Sequence, residues 1–430
     1  MVWEPGCIVA AMDFYGELEW RGLIFDATEN AREALSREKV TGYIGFDPTA
    51  ASLHVGSLLP MVTLAHLQRA GHAPIAVVGG GTGLIGDPSG KTVERQLLTV
   101  DQVDRNVEGI RGQLARVLDF ESTAAPARLV NNAEWLTKLT AIDFMRDIGK
   151  HFTVNAMLAK ESVKRRIESE EGITYTEFSY SLLQAYDFLV LFDRFGCTLQ
   201  MGGSDQWGNI VAGMDLIRRI RGGKANGIVM PLITTASGTK FGQTEAGTIW
   251  LDPNLTSPYE FYQFWFNTDD RDAVRYLKFF TFLDAKRISE LEAAGVAQPE
   301  KRHPQRELAR QVTALVHGEA AVKAAEASAT SAFSDDLTGE ALDAIFGSVP
   351  SSQTTFVEDG WAMPAFLTAN NITASNSEAV RLIRGGGITI NNKRMANEKE
   401  RLMPADAVDA RYFLVKKGKK ERYLVRIERG

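Results

Sequence analysis

A histidine, a glycine and a serine stand where a predicted strand gives way to a predicted helix. The stretch reads YIGFDPTAASLHVGS from Tyr43 to Ser57, and its polar loop ends at His54-Val55-Gly56-Ser57. Backbone N–H groups at the N-terminus of a helix attract phosphate, a nearby histidine adds a donor, and glycine lets a nucleotide approach the backbone closely. The chemistry predicted here is phosphate or nucleotide binding. Taken alone, the tetrapeptide favours the simpler interpretation of a histidine that caps the helix.

A glycine-rich loop follows the next predicted strand. Residues 79–90 read GGGTGLIGDPSG, which places six glycines in twelve residues at the end of that strand. Such a loop lines a cleft with backbone, and Asp87 would provide an acceptor at its rim. The loop lacks the GK[ST] of a P-loop, and it is not a GxGxxG fingerprint that opens a helix, so a nicotinamide-dependent oxidoreductase is not supported. A plain tight turn is the alternative.

Three further stretches carry polar residues at informative spacings. Tyr180, Gln184 and Asp187 are four and three residues apart, which places them on one face of a predicted helix. A polar face turned toward a sheet is costly unless its groups bind something. The stretch 200–209, QMGGSDQWGN, leads from a strand through a loop into a helix. The stretch 240–244, KFGQT, lies in a loop rich in Gly, Ser and Thr, for which a solvated surface loop is the simpler interpretation.

The elements that position these motifs alternate between strand and helix from residue 40 to residue 235. The predicted strands are Thr41–Phe46, Ile75–Val78, Arg128–Val130, Thr198–Met201 and Ile228–Ile233, and the helices between them include Ser57–Arg69, Thr176–Phe195 and Gln206–Arg221. This alternation predicts an α/β fold with a parallel sheet and helices on both faces. Ligands of such sheets bind at the carboxyl ends of the strands, where most of the motifs lie.

The pattern changes to helices alone near Asp252. Residues 257–260, SPYE, read as a strong helix start with a serine cap, a proline at the first helical position and a glutamate placed for a capping box. Three or four helices follow, to about Phe333. A linker is predicted over residues 336–360, although residues 339–346 could form a short helix.

The last 70 residues are predicted to form a compact basic unit. Residues 356–430 hold 14 Lys and Arg against 9 Asp and Glu, a net charge of +5, whereas the whole chain carries −6. Ser375 and Glu378 open a capped helix that ends at glycines 385–387, and a basic hairpin follows with Arg411–Val415 and Arg422–Ile427 as its strands. Such an asymmetry points to a basic module on an acidic body, and chance surface variation is the alternative.

Composition excludes several other classes of protein. The two cysteines, Cys7 and Cys197, provide neither a disulfide framework nor a zinc ligand set, which makes a reducing cytoplasm the default location. The six histidines show no metal-binding spacing, and no run of 18 uncharged apolar residues predicts a membrane span.

Together the motifs resemble those of bacterial tyrosyl-tRNA synthetases. The ordered set is YxGFDPTAxSLHxG, VGGGTGLIGDPSG, EFSYxLLQAYDF, GGSDQWGN and GTKFGxTExGTxWLD, and the resemblance covers the chain from about Met12 to Gly430. Five motifs in order at matching intervals leave chance negligible. Residues 54–57 are similar to the HIGH signature of class I synthetases, and residues 240–244 are similar to the KMSKS loop. Residues 1–11 precede the family pattern and are expected to matter little.

The resemblance implies a role for each polar group. The implied tyrosine-binding residues are Tyr43 and Asp187 at the phenol, Asp87, Tyr180 and Gln184 at the α-amino group, and Thr82 in the same pocket. The implied residues for ATP and the adenylate are Gly45, Asp47, His54, Gly56, Ser57, Gly203, Asp205, Gln206 and Lys240. The implied catalytic residues around the triphosphate are Thr49, His54, Lys91, Arg95, Lys240, Gln243 and Thr244.

The implied activity is that of a tyrosine–tRNA ligase, which activates L-tyrosine with ATP and Mg²⁺ and then loads it onto tRNA(Tyr). The implied organisation is a Rossmann-like catalytic domain over 1–248, a helical domain over 249–335, the linker, and a small α+β RNA-binding module over 361–430, of the kind shared with a small-subunit ribosomal protein and pseudouridine synthases. The candidate RNA-binding residues are Arg381, Arg384, Arg394, Lys416, Lys417, Lys419 and Lys420. A homodimer, a cytoplasmic location and no protein-bound structural metal are also implied.

Two positions depart from the family signatures. Ser57 stands where the HIGH signature has its final histidine, and Gln243 stands where the KMSKS signature has its second lysine. Because glutamine is neutral, one charge-assisted contact to the leaving phosphates is missing, which is worth roughly 1.5–3 kcal/mol, or about 10- to 100-fold in rate. Lys91 or Arg95 is expected to compensate.

These departures motivate an alternative function, a synthetase-like RNA-binding regulator with impaired catalysis. The presence of Tyr43, Asp87, Asp187 and Lys240 argues against it. A tryptophanyl-tRNA synthetase would share the fold and the signatures, but the Tyr43 and Asp187 pair and the basic C-terminal module disfavour that assignment.

Overall fold

The computed structural model describes residues 12–87, 98–168, 172–236, 238, 241–244, 247–331, 337–346, 350–418 and 421–428. The predictions for residues 1–11, Lys91, Arg95, Lys240, Lys419 and Lys420 lie outside the described residues. The chain divides into two compact units. The first unit comprises Met1–Leu255 and Phe266–Val316, and the second comprises Thr256–Trp265 and His317–Gly430.

The strands and helices are named in chain order. The strands are β1 (Asp26–Ala27), β2 (Thr41–Phe46), β3 (Ala73–Val78), β4 (Arg128–Asn131), β5 (Cys197–Gly203), β6 (Asn226–Met230), β7 (Gln243–Thr244), β8 (Gly247–Thr248), β9 (Ser351–Thr355), β10 (Trp361–Ala362), β11 (Ile388–Ile390), β12 (Lys393–Arg394), β13 (Arg401–Leu402), β14 (Tyr412–Lys417) and β15 (Glu421–Glu428). The α-helices are α1 (Phe14–Arg21), α2 (Ala31–Arg37), α3 (Leu58–Arg69), α4 (Val100–Leu114), α5 (Ala133–Leu136), α6 (Ala141–Asp143), α7 (Val154–Leu158), α8 (Glu161–Ile167), α9 (Tyr175–Phe195), α10 (Trp207–Arg221), α11 (Pro258–Phe266), α12 (Asp270–Phe280), α13 (Ala285–Ala297), α14 (His303–His317), α15 (Glu319–Ser331), α16 (Gly339–Ile345), α17 (Met363–Ala369) and α18 (Asn376–Arg384).

A six-stranded sheet organises the first unit. Its strand order is β1-β6-β5-β2-β3-β4, in which β2 to β6 run parallel and the edge strand β1 is antiparallel to β6. The parallel sheet predicted from the sequence is thereby confirmed, and every predicted strand is present with slightly different bounds. The strand order reverses at β2, because β3 and β4 lie on one side of it and β5 and β6 on the other. Such a reversal opens a crevice at the carboxyl ends of the strands.

Helix α9 carries the polar triplet predicted from the sequence. A capping box between Thr174 and Glu177 begins the helix, and Gly196 ends it in the left-handed conformation with φ of 61°. Its apolar residues, among them Ala185 and Phe188, are fully buried in a core cluster with residues of β2, β3 and α10. The apolar face therefore anchors the helix, and the polar residues are held in a fixed register along it.

The helical region predicted after residue 252 corresponds to α11 to α15. Ser257 and Glu260 form the predicted capping box, since each backbone N–H donates to the other residue's side chain at 3.0 and 3.2 Å. The boundary between the two units falls within this region. No helix in the described ranges is long and apolar enough to cross a membrane.

The second unit contains a five-stranded sheet with the order β12-β11-β14-β15-β9. The predicted basic hairpin is present as the antiparallel pair β14 and β15. Helix α18 begins at Ser375, whose hydroxyl accepts from the N–H of Glu378, while the carboxylate of Glu378 accepts from the N–H of Ala374. The hydrogen bond from the N–H of Glu378 to the Ser375 hydroxyl is the half of the predicted capping box that is formed. The carboxylate of Glu378 accepts from the N–H of Ala374 instead of that of Ser375. Phe366 and Phe413 are buried at the centre of this unit's core.

The segment predicted as a linker, residues 336–360, contributes two elements to the second unit. Residues 339–345 form α16, whose Leu342 and Ile345 are buried against β14 and β15. Residues 351–355 form β9, which pairs in parallel with β15. The short helix that the sequence left open over residues 339–346 is therefore present, and the linker assignment is corrected for residues 351–355. A polar segment with no apolar run is predicted to be a linker. An edge strand is stabilised by backbone hydrogen bonds, which cannot be recognised from the pattern of side chains.

Candidate active site

A cleft of about 940 Å³ opens at the carboxyl ends of the parallel strands of the first unit. Its lining includes fifteen residues that the sequence predicted for tyrosine or ATP: Tyr43, Gly45, Asp47, Thr49, His54, Gly56, Ser57, Thr82, Asp87, Tyr180, Gln184, Asp187, Gly203, Asp205 and Gln206. They come from the ends of β2, β3 and β5, from the start of α3 and from α9. The fold thus brings four separate sequence motifs to one cavity. Gln243 and Thr244 form β7, which pairs with β8.

A buried carboxylate marks one end of the polar lining. Asp187 on α9 is 4% exposed, and its two oxygens accept hydrogen bonds from Asn132 Nδ2 at 2.9 Å and from Trp135 Nε1 at 2.7 Å. Burial raises the pKa of Asp187 to about 7, while the hydrogen bonds from Asn132 and Trp135 act in the opposite direction. The carboxylate is thereby held rigidly, and it is an acceptor whose charge is sensitive to pH near neutrality.

The hydroxyl of Tyr43 lies in the same wall of the cleft without a hydrogen-bond partner among the described residues. Tyr43 is 2% exposed, and its ring packs edge-on against Phe188 with the ring centroids 5.3 Å apart. Burial, and after it the nearby charge of Asp187, raises the pKa of Tyr43 well above its ordinary value. A buried hydroxyl without a partner costs free energy unless a ligand supplies one. Tyr43 and Asp187 together can therefore receive a polar group that both donates and accepts.

A chain of amide hydrogen bonds supports a second carboxylate, Asp87. Gln206 Nε2 donates to Asp87 Oδ2 at 2.8 Å, and Gln184 Nε2 donates to Gln206 Oε1 at 3.1 Å. Asn209 Nδ2 donates in turn to Gln184 Oε1 at 3.0 Å. Burial, and after it the charges of Asp47, Asp87 and Asp187, raises the pKa of the adjacent Tyr180 well above its ordinary value. An acidic, amide-rich pocket of this kind suits a cationic ammonium group.

The glycine-rich loop between β3 and residue 87 is packed closely enough to require glycine. A Cβ on Gly80 would lie 2.2 Å from Asn131 Oδ1, and one on Gly79 would lie 2.6 Å from Thr82 Oγ1. The side chain of Asn132 binds this loop by accepting from the N–H of Gly81 at 2.8 Å and donating to Thr82 Oγ1 at 2.9 Å. The tight-turn interpretation and the cleft-lining interpretation are both correct, since the turn itself forms part of the wall.

His54 has two roles in the structure. Its Nδ1 accepts from the N–H of Gly56 at 3.0 Å and so caps the short helix Val55–Ser57, as the simpler interpretation of the tetrapeptide predicted. The neutral ring then carries its proton on Nε2. His54 also lines the cleft. A Cβ on Gly56 would lie 2.7 Å from Cε1 of His54, so glycine is needed for this arrangement.

The sequence interpretation missed three residues of this site, Asn132, Trp135 and Asn209. Asn132 follows β4 directly, at the same edge of the sheet as the recognised motifs. Its position after a predicted strand was therefore an available signal. Asn209 belongs to the stretch QMGGSDQWGN, in which the resemblance implied roles only for Gly203, Asp205 and Gln206. Nothing in the sequence connects Trp135 with Asp187, because 52 residues separate them and only the tertiary fold brings them together.

The described RNA-binding candidates of the second unit differ in their surroundings. Arg381 and Arg394 are exposed. Arg384 pairs with Glu398 at 2.6 Å and holds the pKa of that carboxyl down to about 2. Lys417 pairs with Glu378 at 3.2 Å, and Lys416 donates to Asn392. Lys416 and Lys417 thus stabilise the module itself, whereas Arg381 and Arg394 offer exposed charge.

Two features define a class I aminoacyl-tRNA synthetase. The strand order of the parallel sheet reverses at a crevice, and the two signature segments contribute to the cleft there. Comparison with known families agrees, since residues 35–334 match the class I tRNA synthetases for tryptophan and tyrosine. Residues 341–425 match the C-terminal domain of tyrosine–tRNA ligases. The second match includes most of α16 and all of β9, which supports their assignment to the C-terminal unit.

Similar proteins narrow the assignment. The chain is 54% identical to a tyrosine–tRNA ligase of Roseiflexus castenholzii, over 96% of this chain and 98% of the relative. It is 50% identical to that of Geobacillus stearothermophilus, over 96% of this chain and all of the relative. The structure of a C-terminally truncated mitochondrial tyrosyl-tRNA synthetase from Aspergillus nidulans superposes with a TM-score of 0.68 at 31% identity, covering 74% of this chain and 93% of that one. The chain belongs to the bacterial-type tyrosine–tRNA ligases.

Proposed function

We propose that the cleft joins L-tyrosine to ATP, giving tyrosyl-adenylate and pyrophosphate, and that the tyrosyl group then passes to the 3′ end of tRNA(Tyr). The observation that carries this proposal is that the buried hydroxyl of Tyr43, which has no partner among the described residues, lies in the same cleft as the buried carboxylate of Asp187. This pair matches a phenol, which donates to the carboxylate and accepts from the hydroxyl. The remaining polar groups of the cleft are then assigned to the amino group of tyrosine and to the nucleotide.

The same pair accounts for discrimination against phenylalanine. A bound phenylalanine would leave the Tyr43 hydroxyl and the Asp187 carboxylate facing an apolar ring edge, both buried and both without their ligand partner. Leaving a buried polar group unpaired costs about 1–3 kcal/mol, and more when the group is charged. Tyrosine-specific synthetases in general reject phenylalanine in this way. Indole fits no better, because its single N–H donates but has no oxygen to accept from Tyr43.

The acidic pocket around Asp87 is assigned to the α-amino group of tyrosine. Asp87 provides the counter-charge, and Tyr180 and Gln184 provide acceptors on the adjacent face of α9. Thr82 completes this part of the wall. The nucleotide is assigned to the glycine-bordered side of the cleft, where Gly45 leaves open space beside its Cα and the residues from the end of β5 onward provide polar groups for the ribose. Gly203, Asp205 and Gln206 are those residues.

The activation step needs no general base. The tyrosine carboxylate is already an anion, and one of its oxygens forms a bond to the α-phosphorus while the bond from that phosphorus to the bridging oxygen of pyrophosphate breaks. Catalysis is then a matter of alignment and of stabilising negative charge on the leaving group. In the second step a ribose hydroxyl of the tRNA attacks the activated carbonyl carbon, and AMP leaves.

The leaving phosphates are assigned to the two signature segments. Thr49 and His54 line the cleft next to the N-terminus of α3, where backbone N–H groups favour an anion. Lys91, Arg95 and Lys240 would add positive charge, and Gln243, Thr244, Gly56 and Ser57 are assigned to the same phosphates. Magnesium is assigned to the phosphates of ATP, which with carboxylates are its usual ligands.

The second unit is assigned to tRNA recognition. Residues 361–430 carry the positive balance of the chain, and the exposed cations Arg381 and Arg394 suit contacts to phosphate, which weaken as salt concentration rises. The functional division proposed from the sequence is 1–248, 249–335 and 361–430, with β9 and α16 added to the last part. The compact units divide the helical region differently, since Phe266–Val316 belongs to the first unit and Thr256–Trp265 to the second. The cytoplasm is proposed as the place of action, because protein synthesis occurs there.

A homodimer is proposed from an exposed apolar surface on the first unit. Ile142, Met145, Val154, Ile167 and Tyr175 are between 47% and 69% exposed, although all are large and apolar or aromatic. They belong to one stretch of chain, from α6 to the start of α9. Exposed apolar side chains of this kind suit contact with a partner protein. A second copy of the chain is the partner that the family implies, and sedimentation at micromolar concentration would detect it.

The first experiment is ATP–pyrophosphate exchange with tyrosine, phenylalanine and tryptophan in parallel. Exchange with tyrosine alone would support the assignment of the amino acid and the adenylate mechanism. It would also support a catalytically active KMSKS-type segment despite Gln243. Silence with all three amino acids, from folded protein that still binds tRNA, would favour the RNA-binding regulator. Exchange with tryptophan would overturn the assignment of Tyr43 and Asp187.

A further inference from the structure

Helix α12 contacts the loop that follows β6 through a small hydrogen-bonded network. Asp272 is 3% exposed, and its Oδ2 accepts from the backbone N–H of Ala236 at 2.7 Å. Its Oδ1 accepts from a guanidinium nitrogen of Arg275 at 2.5 Å. The same nitrogen of Arg275 donates to the backbone carbonyl of Thr234 at 2.6 Å. Two residues of one helix turn thus bind two backbone groups of the loop.

An aromatic cluster holds the loop at its other end. Phe241 is 5% exposed and stacks on Phe280 of α12, with the ring centroids 5.4 Å apart and the planes at 13°. It also meets Tyr276 edge-on at 5.1 Å. The Tyr276 hydroxyl lies 3.4 Å from the Thr234 carbonyl, so this residue contacts both ends of the loop. Helix α12 therefore contacts Thr234 and Ala236 after β6 and Phe241 further along the chain.

The segment after the loop is tied to the HIGH-type segment. The N–H of Ile249 donates to the carbonyl of Gly242, and the carbonyl of Ile249 accepts from the N–H of Val55 at 3.0 Å. Gly242 has a φ of 82°, and a Cβ there would lie 2.7 Å from Val55 Cγ2. Two sets of contacts therefore hold the loop relative to His54. One is the hydrogen bonding of Ile249 to Gly242 and Val55, and the other is the contact with α12.

Helix α12 is itself fixed at its far end. The buried guanidinium of Arg21 donates to the carbonyls of Lys278, Thr281 and Leu283 at 2.7 to 2.9 Å. These carbonyls lie at and beyond the C-terminus of the helix, where backbone acceptors lack intrahelical partners. With its C-terminus held in this way, α12 is a rigid support against which the loop is fixed.

We infer that Asp272 and Arg275 are positioning residues for the ATP side of the cleft. This inference rests on the proposed function. Thr234 and Phe241 line the cleft, whereas Asp272 and Arg275 do not, so the two charged residues act through the loop. The residues assigned to tyrosine come from other elements, namely β2, the glycine-rich loop and α9. Weakening the network should therefore impair use of ATP and leave tyrosine binding unchanged.

The test compares two arginines of the same helix. Arg275→Gln removes the guanidinium that bridges Asp272 and Thr234. Arg271→Gln is the matched control, because Arg271 is 65% exposed at its side chain and pairs with Asp269, outside the cleft lining. Loss of one charge-assisted hydrogen bond corresponds to about 10-fold. The expected result for Arg275→Gln is therefore a fall of about 10-fold in kcat/KM for ATP in pyrophosphate exchange, with the dissociation constant for tyrosine within twofold of wild type.

Further variants separate positioning from a general structural defect. Arg275→Lys should recover part of the loss, and Arg271→Gln should remain within twofold of wild type in both measurements. Asp272→Asn, which removes the charge that binds both Arg275 and Ala236, should reproduce the ATP defect. Equal losses for ATP and tyrosine, or an unchanged Arg275→Gln enzyme, would overturn the inference. Absence of exchange in the wild-type enzyme would instead refute the proposed function.

Discussion

Burial and hydrogen bonding act in opposite directions on the carboxyl group of Asp187. Burial is the larger effect and raises its pKa to about 7, while the indole N–H of Trp135 and the amide of Asn132 favour the ionised form. The phenol of tyrosine would be a third donor to the same carboxylate. Below pH 7 a proton on Asp187 therefore competes with the phenol for the same oxygen.

Tyrosine affinity is accordingly expected to weaken as the pH falls from 8 to 6, approaching tenfold per unit below the pKa. Trp135→Phe removes a donor that lowers the pKa of Asp187. The midpoint of the pH dependence of tyrosine affinity should therefore move upward by about one pH unit. Equilibrium dialysis with labelled tyrosine across this range measures both effects. An affinity that does not change with pH, or a midpoint that moves downward in Trp135→Phe, would contradict this account of Asp187.

The unpartnered hydroxyl of Tyr43 leads to a second prediction at the residue scale. Tyr43→Phe should lower kcat/KM for tyrosine by about 2- to 10-fold, since one neutral hydrogen bond is lost. The kcat/KM for phenylalanine should not fall, because the variant lacks the buried hydroxyl that phenylalanine leaves without a partner. The preference for tyrosine over phenylalanine should therefore narrow in pyrophosphate exchange. Tyr180→Phe, at the α-amino end, should affect both amino acids equally, and a narrowing of the same size there would refute the assignment.

At the scale of elements, the site depends on where strands end and helices begin. The ends of β2, β3 and β5 and the start of α3 could be predicted from the alternation of apolar runs and turn residues, and the cleft lies where that alternation places it. Strand β9 could not be predicted in this way. Its side chains are alternately exposed and partly buried and are all polar, and its partner β15 lies about 70 residues further along the chain.

The loop that carries Gln243 leads to a prediction at the same scale. Gln243→Lys restores the second lysine of the signature and should accelerate adenylate formation by about 10- to 100-fold, through one charge-assisted contact to the leaving phosphates. Gln243→Met, which is similar in size but neutral, is the control and should bring no gain. The rate constant of the first step, measured by stopped flow, distinguishes the two variants. An unchanged or slower first step in Gln243→Lys would refute the prediction.

At the scale of the whole molecule, the two units lead to a prediction about truncation. A cut before Trp361 would leave β9 without β15, and the residues of α16 without the strands that bury them. A cut after Ser331 avoids both defects. The shortened enzyme is expected to retain tyrosine-dependent pyrophosphate exchange within about twofold and to lose charging of tRNA. Its thermal unfolding midpoint shows whether the first unit is intact, and retained charging would refute the RNA-binding assignment of the second unit.

The sequence by itself determined the class of fold, and its motifs carried the family resemblance that implied most of the residues lining the cleft. Apolar periodicity predicted the parallel sheet, because such patterns are local and each is set by a few neighbouring residues. The tertiary structure alone decided the contacts between distant segments. The hydrogen bonds of Trp135 to Asp187, of Asp272 to the loop after β6 and of β9 to β15 join residues 52, 36 and 73 positions apart. Their formation depends on how the elements pack, which no local pattern encodes.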